Sequence, residues 1–405
     1  VTAGNAEAAA ALEGAVLGLV SHRADTAGHL ERALALDPDL LLGQVIRGFG
    51  YKLLGRADLA PHAQAASERA KASWAQRGGT ERERLLMRAL HAWCDRAPTE
   101  SLSALEEALR TNPLDRLALK LSHAMYFYSG MSVAMRESLE RVLPAWRDAH
   151  PAGLGRVLGC YAFALTETGA PEEGERVGRE AMSLGEIDPW GMHATLHAIH
   201  ARGALEDVIA WLDATQVHLE GANNFAGHVH WHHAVVASLL GRWSEALALY
   251  DTKIAVYPAH DYRDLINEVT LLHRCQRAGV EIGDRLERCA STARMRLGDH
   301  GSAFADVHHV LALSLAGESA AGAAFVASMQ AHADATLGVE ARVLGEVAVP
   351  AAAALLKIKF DPSEAQRALE ALREALPRLG GSRAQHTVFE LLRDDARQQH
   401  LLRSS

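Results

Sequence analysis

The chain has 405 residues, 49% of them hydrophobic and 22% charged, which is ordinary globular composition and excludes a disordered or fibrous protein. A formal net charge of −9, with no Lys/Arg-rich run, argues against nucleic acid or an anionic membrane as the partner. No uninterrupted apolar stretch reaches the roughly 18 residues of a membrane-spanning helix, and residues 1–20, with Glu7 and Glu13 and no basic start, do not read as a signal peptide.

In chain order, alternating β-branched runs are nearly absent, whereas Ala, Leu, Glu and Arg, all strong helix formers, dominate. The first helical hairpin is expected at residues 5–20 and 25–36, closed by Leu36-Asp37-Pro38-Asp39, since proline cannot continue a helix. Glycines then recur at Gly55, Gly130, Gly169, Gly203, Gly241, Gly279 and Gly317, with successive gaps of 75, 39, 34, 38, 38 and 38 residues. The first gap holds one missed beat, and each glycine ends one helical pattern and precedes another. Asn112-Pro113, Pro151, Pro171, Asp188-Pro189, Pro258 and Asp361-Pro362 punctuate the remaining boundaries. From Trp231 to Pro258 the residues Gly241, Ala246, Tyr250 and Pro258 hold tetratricopeptide-repeat spacing: a small residue for close helix approach, an aromatic between hairpins, a proline to end the second helix. The expected fold is all-α, a tetratricopeptide-like right-handed α-solenoid of about ten stacked hairpins, forming a single domain over residues 1–405. Cys94, Cys160, Cys275 and Cys289 lie in helical patterns without a CxxC spacing, so free buried thiols and a reducing, cytoplasmic setting are expected.

The histidines are patterned. His193 and His197, then His228 and His232, are four apart, and i, i+4 spacing puts each pair on one helix face. Counted back from the turn glycines, these four, with His123 and His308, fall on one stripe of the first helix of each hairpin, the helix expected to line a concave groove. Trp190, Trp231 and Asp306 are expected to point into the same groove. His200, His230, His233 and His309 fall off it and read as surface or packing residues. One account makes the groove a binding site. Two histidine pairs and a carboxylate suit Zn²⁺ or Fe²⁺, with His193, His197 and His232 as the ligand set, and neutral imidazoles also suit proton transfer. The other account makes the histidines buried polar groups that bond across helices and set repeat register. Asp306 and His308 are two apart and so do not share a face.

Three longer blocks carry a resemblance: Leu117–Trp146 (LALKLSHAMYFYSGMSVAMRESLERVLPAW), His228–Ile254 (HVHWHHAVVASLLGRWSEALALYDTKI) and Leu379–Leu391 (LGGSRAQHTVFEL). With Asp188-Pro-Trp-Gly-Met-His193 and Phe304-Ala-Asp306-Val-His308, they resemble the tetratricopeptide repeat protein 38 family along nearly the whole chain. The resemblance implies a helical-repeat fold and a cytoplasmic protein, and supplies no mechanism. Lys120 and Asp264 match positions of that family. Ala124 stands where the family often has an acidic residue, which removes a carboxylate from beside His123.

HExxH, GxSxG, P-loop and EF-hand signatures are absent. Gly380-Gly381-Ser382 opens the last helix, where Ser382 can cap and free N–H groups can hold an anion, with Gln385 one turn in. The leading functional expectation is a His/Trp-lined groove for a small molecule or a peptide segment, built from His123, Trp190, His193, His197, His228, Trp231, His232, Asp306, His308, Ser382 and Gln385. An enzyme using a divalent transition metal is the alternative and a protein-interaction scaffold the third. Homo-oligomerisation is left open.

Overall fold

Seven turn glycines, from Gly55 to Gly317, each stand two residues beyond the end of a helix with φ between 64° and 90°. Left-handed backbone there costs a side-chain-bearing residue about 1–2 kcal/mol, so glycine is the natural choice for reversing the chain. The missed beat is filled by Arg96, two residues past its helix with φ 60°, and the same position of the first hairpin is held by His22 with φ 54°.

The computed structural model describes residues 2–257 and 261–404, and of Ser404 only the backbone. Its helices are α1 (Ala6–Val20), α2 (Thr26–Leu36), α3 (Leu41–Leu53), α4 (Ala60–Arg77), α5 (Glu81–Cys94), α6 (Pro98–Thr111), α7 (Arg116–Tyr128), α8 (Ser132–Ala149), α9 (Leu154–Glu167), α10 (Pro171–Ser183), α11 (Pro189–Ala201), α12 (Leu205–Thr215) and α13 (Phe225–Leu239). They continue with α14 (Trp243–Leu249), α15 (Tyr262–Arg277), α16 (Arg285–Met295), α17 (Ala303–Leu315), α18 (Ser319–Ala335), α19 (Val339–Val343), α20 (Val349–Lys357), α21 (Pro362–Ala371) and α22 (Arg383–Ser404). Among the described residues there is no strand, only an isolated bridge between Arg23 and Ala222. The fold is all-α and tetratricopeptide-like, and no described helix is long and apolar enough to cross a membrane.

The chain falls into two compact units. One comprises Val1–Leu53, Asp58–Phe127 and Met131–Val229; the other comprises Leu54–Ala57, Tyr128–Gly130 and His230–Ser405. The boundary lies inside α13. In the first unit α1 packs on α2, α3 on α4, α5 on α6 and α9 on α10, around buried Phe49, Trp93, Trp146 and Phe163. Helices α9 and α11 cross where glycine meets glycine: a Cβ on Gly159 would lie 2.8 Å from the Cα of Gly191. That close approach brings Phe163 and Glu167, one and two turns beyond Gly159, alongside α11.

The second unit has its own core, which includes Tyr250, Leu265, Phe304, Phe325 and Phe389. Ala246 and Tyr250 are buried as the tetratricopeptide spacing implies. The Tyr250 hydroxyl donates to Glu268 of α15 at 2.9 Å, so the aromatic does bridge hairpins; Pro258 lies outside the described residues. All four cysteines are free and helical, with Cys160, Cys275 and Cys289 buried.

Candidate functional site

Helix α11 is started firmly. Asp188 caps it by accepting the Trp190 N–H at 3.1 Å, and Pro189 occupies its first turn with no N–H to satisfy. That start presents Trp190, His193 and His197 to the inside of the first unit, all at most 9% exposed. The Nε2 atoms of His193 and His197 are 3.0 Å apart. Behind them, His197 Nδ1 lies 3.5 Å from Oε1 of Glu167, at the end of α9, with side chains 2% and 3% exposed.

Across from α11, the first turn of α13 contributes Phe225 and His228, whose rings stand 5.0 Å and 5.0 Å from that of His193. His232 lies one turn further along the same continuous helix. Within the first unit, one nitrogen from each of His193, His197 and His228 falls within 4.8 Å of the others, His193 and His197 being buried and His228 half-buried. Of the ligand set expected from the sequence, His193 and His197 lie in the first unit beside His228, and His232 belongs to the second.

An aromatic shell surrounds these imidazoles. Phe163 stacks on His193 at 5.9 Å and meets His197 edge-on at 5.1 Å. The Trp190 indole is 5.1 Å from the His193 ring and 5.5 Å from that of His123. His123, on α7, is 3% exposed and neither ring nitrogen has a hydrogen-bond partner. Burial, with Lys120 adding to it, pushes its pKa down to about 3, so the ring is neutral at any physiological pH. Burial also holds His193 well below the ordinary histidine range, helped by His197, His228, His22 and Lys120.

Two members of the cluster had no prominence in the sequence. His22 reaches it from the first hairpin's turn and stacks on Phe225 at 4.3 Å and Trp190 at 5.6 Å. Its backbone is pinned by pairing of loops: its carbonyl accepts the Asn223 N–H at 2.7 Å, and Ala24 N–H donates to Gly221 at 3.0 Å. The signal available was positional, because His22 holds the place of a turn glycine one repeat before Gly55. Glu167 is the other. An acid in the last turn opposes the helix dipole, a local cost that hints at a partner. Lys120, which alone reads as a solvated lysine, is half-buried; its Nζ donates to His22 Nε2 at 2.7 Å and sits 5.1 Å above the Trp190 ring. The three half-buried groups, His22, Lys120 and His228, form the accessible edge of the cluster.

The remaining expected groove residues belong to the second unit and have local roles there. Trp231 is 1% exposed in the core and its Nε1–H donates to Thr270 Oγ1 at 3.1 Å. His308 has Nδ1 2.7 Å from the Phe304 carbonyl, and burial lowers its pKa to about 4. Ser382 and Gln385 form a reciprocal cap: Gln385 N–H donates to Ser382 Oγ at 3.3 Å, and Ser382 N–H to Gln385 Oε1 at 3.0 Å. Asp306 faces His300 at 3.0 Å. Asp264 is buried in the first turn of α15. Of the histidines read as surface or packing, His233 meets Glu245 at 2.9 Å and His309 is buried against Phe325.

No family profile matches the chain. Among solved structures it is similar to a Rap protein complexed with competence and sporulation factor, at 14% identity over 80% of this chain and 97% of that one, with a TM-score of 0.46. Yeast Tom70 is 13% identical over 89% of this chain and 92% of its own, with a TM-score of 0.41. A Naa15/Naa10 assembly bound to HypK-THB gives 13% identity, coverage of 97% and 63%, and a TM-score of 0.28.

Proposed function

We propose that this chain is a tetratricopeptide-like repeat protein of the kind its sequence blocks resemble, and that its imidazole cluster holds a divalent transition metal serving a small-molecule site. His193, His197 and His228, all in the first unit, are the ligands. The observation that carries this reading is the 3.0 Å separation of the His193 and His197 Nε2 atoms. A carboxylate 3.5 Å behind His197 Nδ1 favours the tautomer whose Nε2 carries a lone pair toward its neighbour. Two imidazole nitrogens at that distance are bridged either by the N–H of one ring or by one cation. Metal–nitrogen bonds of about 2.0–2.1 Å give ligand–ligand edges of roughly 2.9 Å in octahedral and 3.3 Å in tetrahedral geometry, and the observed spacing falls in that interval. Glu167 stands where a carboxylate would orient a metal-bound His197.

Trp190, His22 and Lys120 give the site its ligand-facing edge, an aromatic plane beside a cation. The burial of the cluster favours a small molecule over an extended peptide. Zn²⁺ and Fe²⁺ are both suited to imidazole donors.

The test is elemental analysis of protein purified without added metal, together with thermal melts of the metal-stripped chain. About one Zn or Fe per chain is expected, lost in His197→Ala and His228→Ala while far-ultraviolet circular dichroism is retained. Added metal should raise the melting temperature of the stripped wild type, because a ligand that binds only the folded state stabilises it. A metal-free preparation whose melt ignores Zn²⁺, Fe²⁺ and Mn²⁺ would remove the proposal.

A further inference from the structure

In the second unit, and independent of the imidazole cluster, three side chains from separate segments line up. Asp306 occupies the first turn of α17, behind the Ser302 cap. His300, in the loop before it, is held with φ 42°, a left-handed conformation that costs a non-glycine residue energy and often accompanies a functional constraint. Its Nδ1 is 3.0 Å from Asp306 Oδ2 and its Nε2 is 2.8 Å from the Ser328 hydroxyl on α18. The His300 and Asp306 side chains are only 3% and 2% exposed, whereas Ser328 is half-buried.

Polarity follows from the partners. The Asp306 carboxylate can only accept, so Nδ1 carries the proton and donates to it. Nε2 is then a bare lone pair, and Ser328 O–H donates to it. This is the tautomer that a base needs in order to take a proton from serine. Three buried threonines on other helices, Thr166, Thr195 and Thr270, donate to the carbonyl four residues back. Ser328 is directed at an imidazole instead. One turn after Ser328 on the same helix, His332 places its ring 5.1 Å from that of His300, a side-chain N–H donor within reach of an oxygen on a group bound at Ser328.

We propose that Ser328, His300 and Asp306 form a nucleophilic relay that accepts acyl groups from small esters. Ser328 Oγ attacks the carbonyl carbon, its proton passes to His300 Nε2, and Asp306 holds the resulting imidazolium. The leaving alcohol departs with that proton. Water then attacks the acyl-serine with His300 again taking the proton, which releases the carboxylic acid and restores the hydroxyl. His332 donates to the carbonyl oxygen as it gains charge.

The full-length chain treated with a biotinylated fluorophosphonate provides the test. Oγ–P bond formation with loss of fluoride leaves one stable adduct, which peptide mass spectrometry locates. One adduct on Ser328 is expected, together with a burst of p-nitrophenol from p-nitrophenyl acetate. His300→Gln and Asp306→Asn should slow labelling by about 100-fold or more with circular dichroism unchanged, and Ser328→Ala should abolish it. An unmodified Ser328 in the folded wild-type protein overturns the proposal, and that arm requires no variant to fold. Labelling of Ser328 as fast in Asp306→Asn as in wild type overturns it equally.

Discussion

Single imidazoles set how this protein responds to acid. Burial lowers the pKa of His123 and of His309 to about 3 and that of His308 to about 4. In the unfolded chain the same groups titrate at about 6.5. Between those limits the unfolded state binds more protons than the folded one, so stability falls as pH drops below about 6.5, by up to about 1.4 kcal/mol per pH unit for each group. The urea midpoint should therefore decline between pH 6.5 and 5, and His309→Leu should decline less steeply; an unchanged slope in that variant would contradict the assignment. Glu167 is the other residue whose effect can be isolated. Glu167→Gln keeps the shape but removes the charge behind His197, and should weaken Zn²⁺ binding by about 10–100-fold, measured by competition with a chelating dye, with little change in the melt of the stripped protein.

At the level of elements, glycine does two separable things. At Gly203, with φ 78° and nothing within 4 Å of an added Cβ, only backbone strain opposes alanine, so Gly203→Ala should cost about 1–2 kcal/mol. At Gly130, φ 66° combines with a Cβ position 2.2 Å from the Pro377 carbonyl oxygen, so Gly130→Ala should cost distinctly more, by the same urea midpoints. Gly159 is helical and pays no φ penalty, yet its Cβ would meet the Gly191 backbone at 2.8 Å. Gly159→Ala should separate α9 from α11, cost about 1–3 kcal/mol as overpacking does, and weaken metal binding by moving Glu167 away from His197. Retained Zn²⁺ affinity in that variant would mean that the helix crossing does not set the site.

For the molecule as a whole, stacked hairpins make stability a local property, since each repeat leans mainly on its neighbours. Phe325 is 1% exposed in α18, and α18 packs on α17 and α20. Phe325→Ala should cost about 3–5 kcal/mol and speed amide hydrogen exchange in those helices, with the α1–α2 pair unaffected. Uniformly faster exchange along the chain would instead indicate a single cooperative fold.

The hairpin architecture was legible in the sequence because its cause is local. A chain reversal after a helix needs one residue in left-handed backbone, and Gly55 through Gly317 advertise it wherever they stand. Arg96 and His22 take the same conformation without glycine, and there the beat went unheard. The pairs His193/His197 and His228/His232 were likewise readable, since helical geometry alone puts residues four apart on one face. What those faces meet is another matter. The approach of α9 to α11 at Gly159 and Gly191 put Glu167 behind His197, and loop pairing carried His22 to Trp190 and Phe225. Trp231, on the same helix as His228 and His232, turned into the core of the second unit. The Ser328–His300–Asp306 alignment arises from a loop and two helices whose sequence spacing matches no motif. Backbone sterics and helical period are written in neighbouring residues, whereas the meeting of side chains depends on crossing angles and loop paths, which many distant contacts decide together.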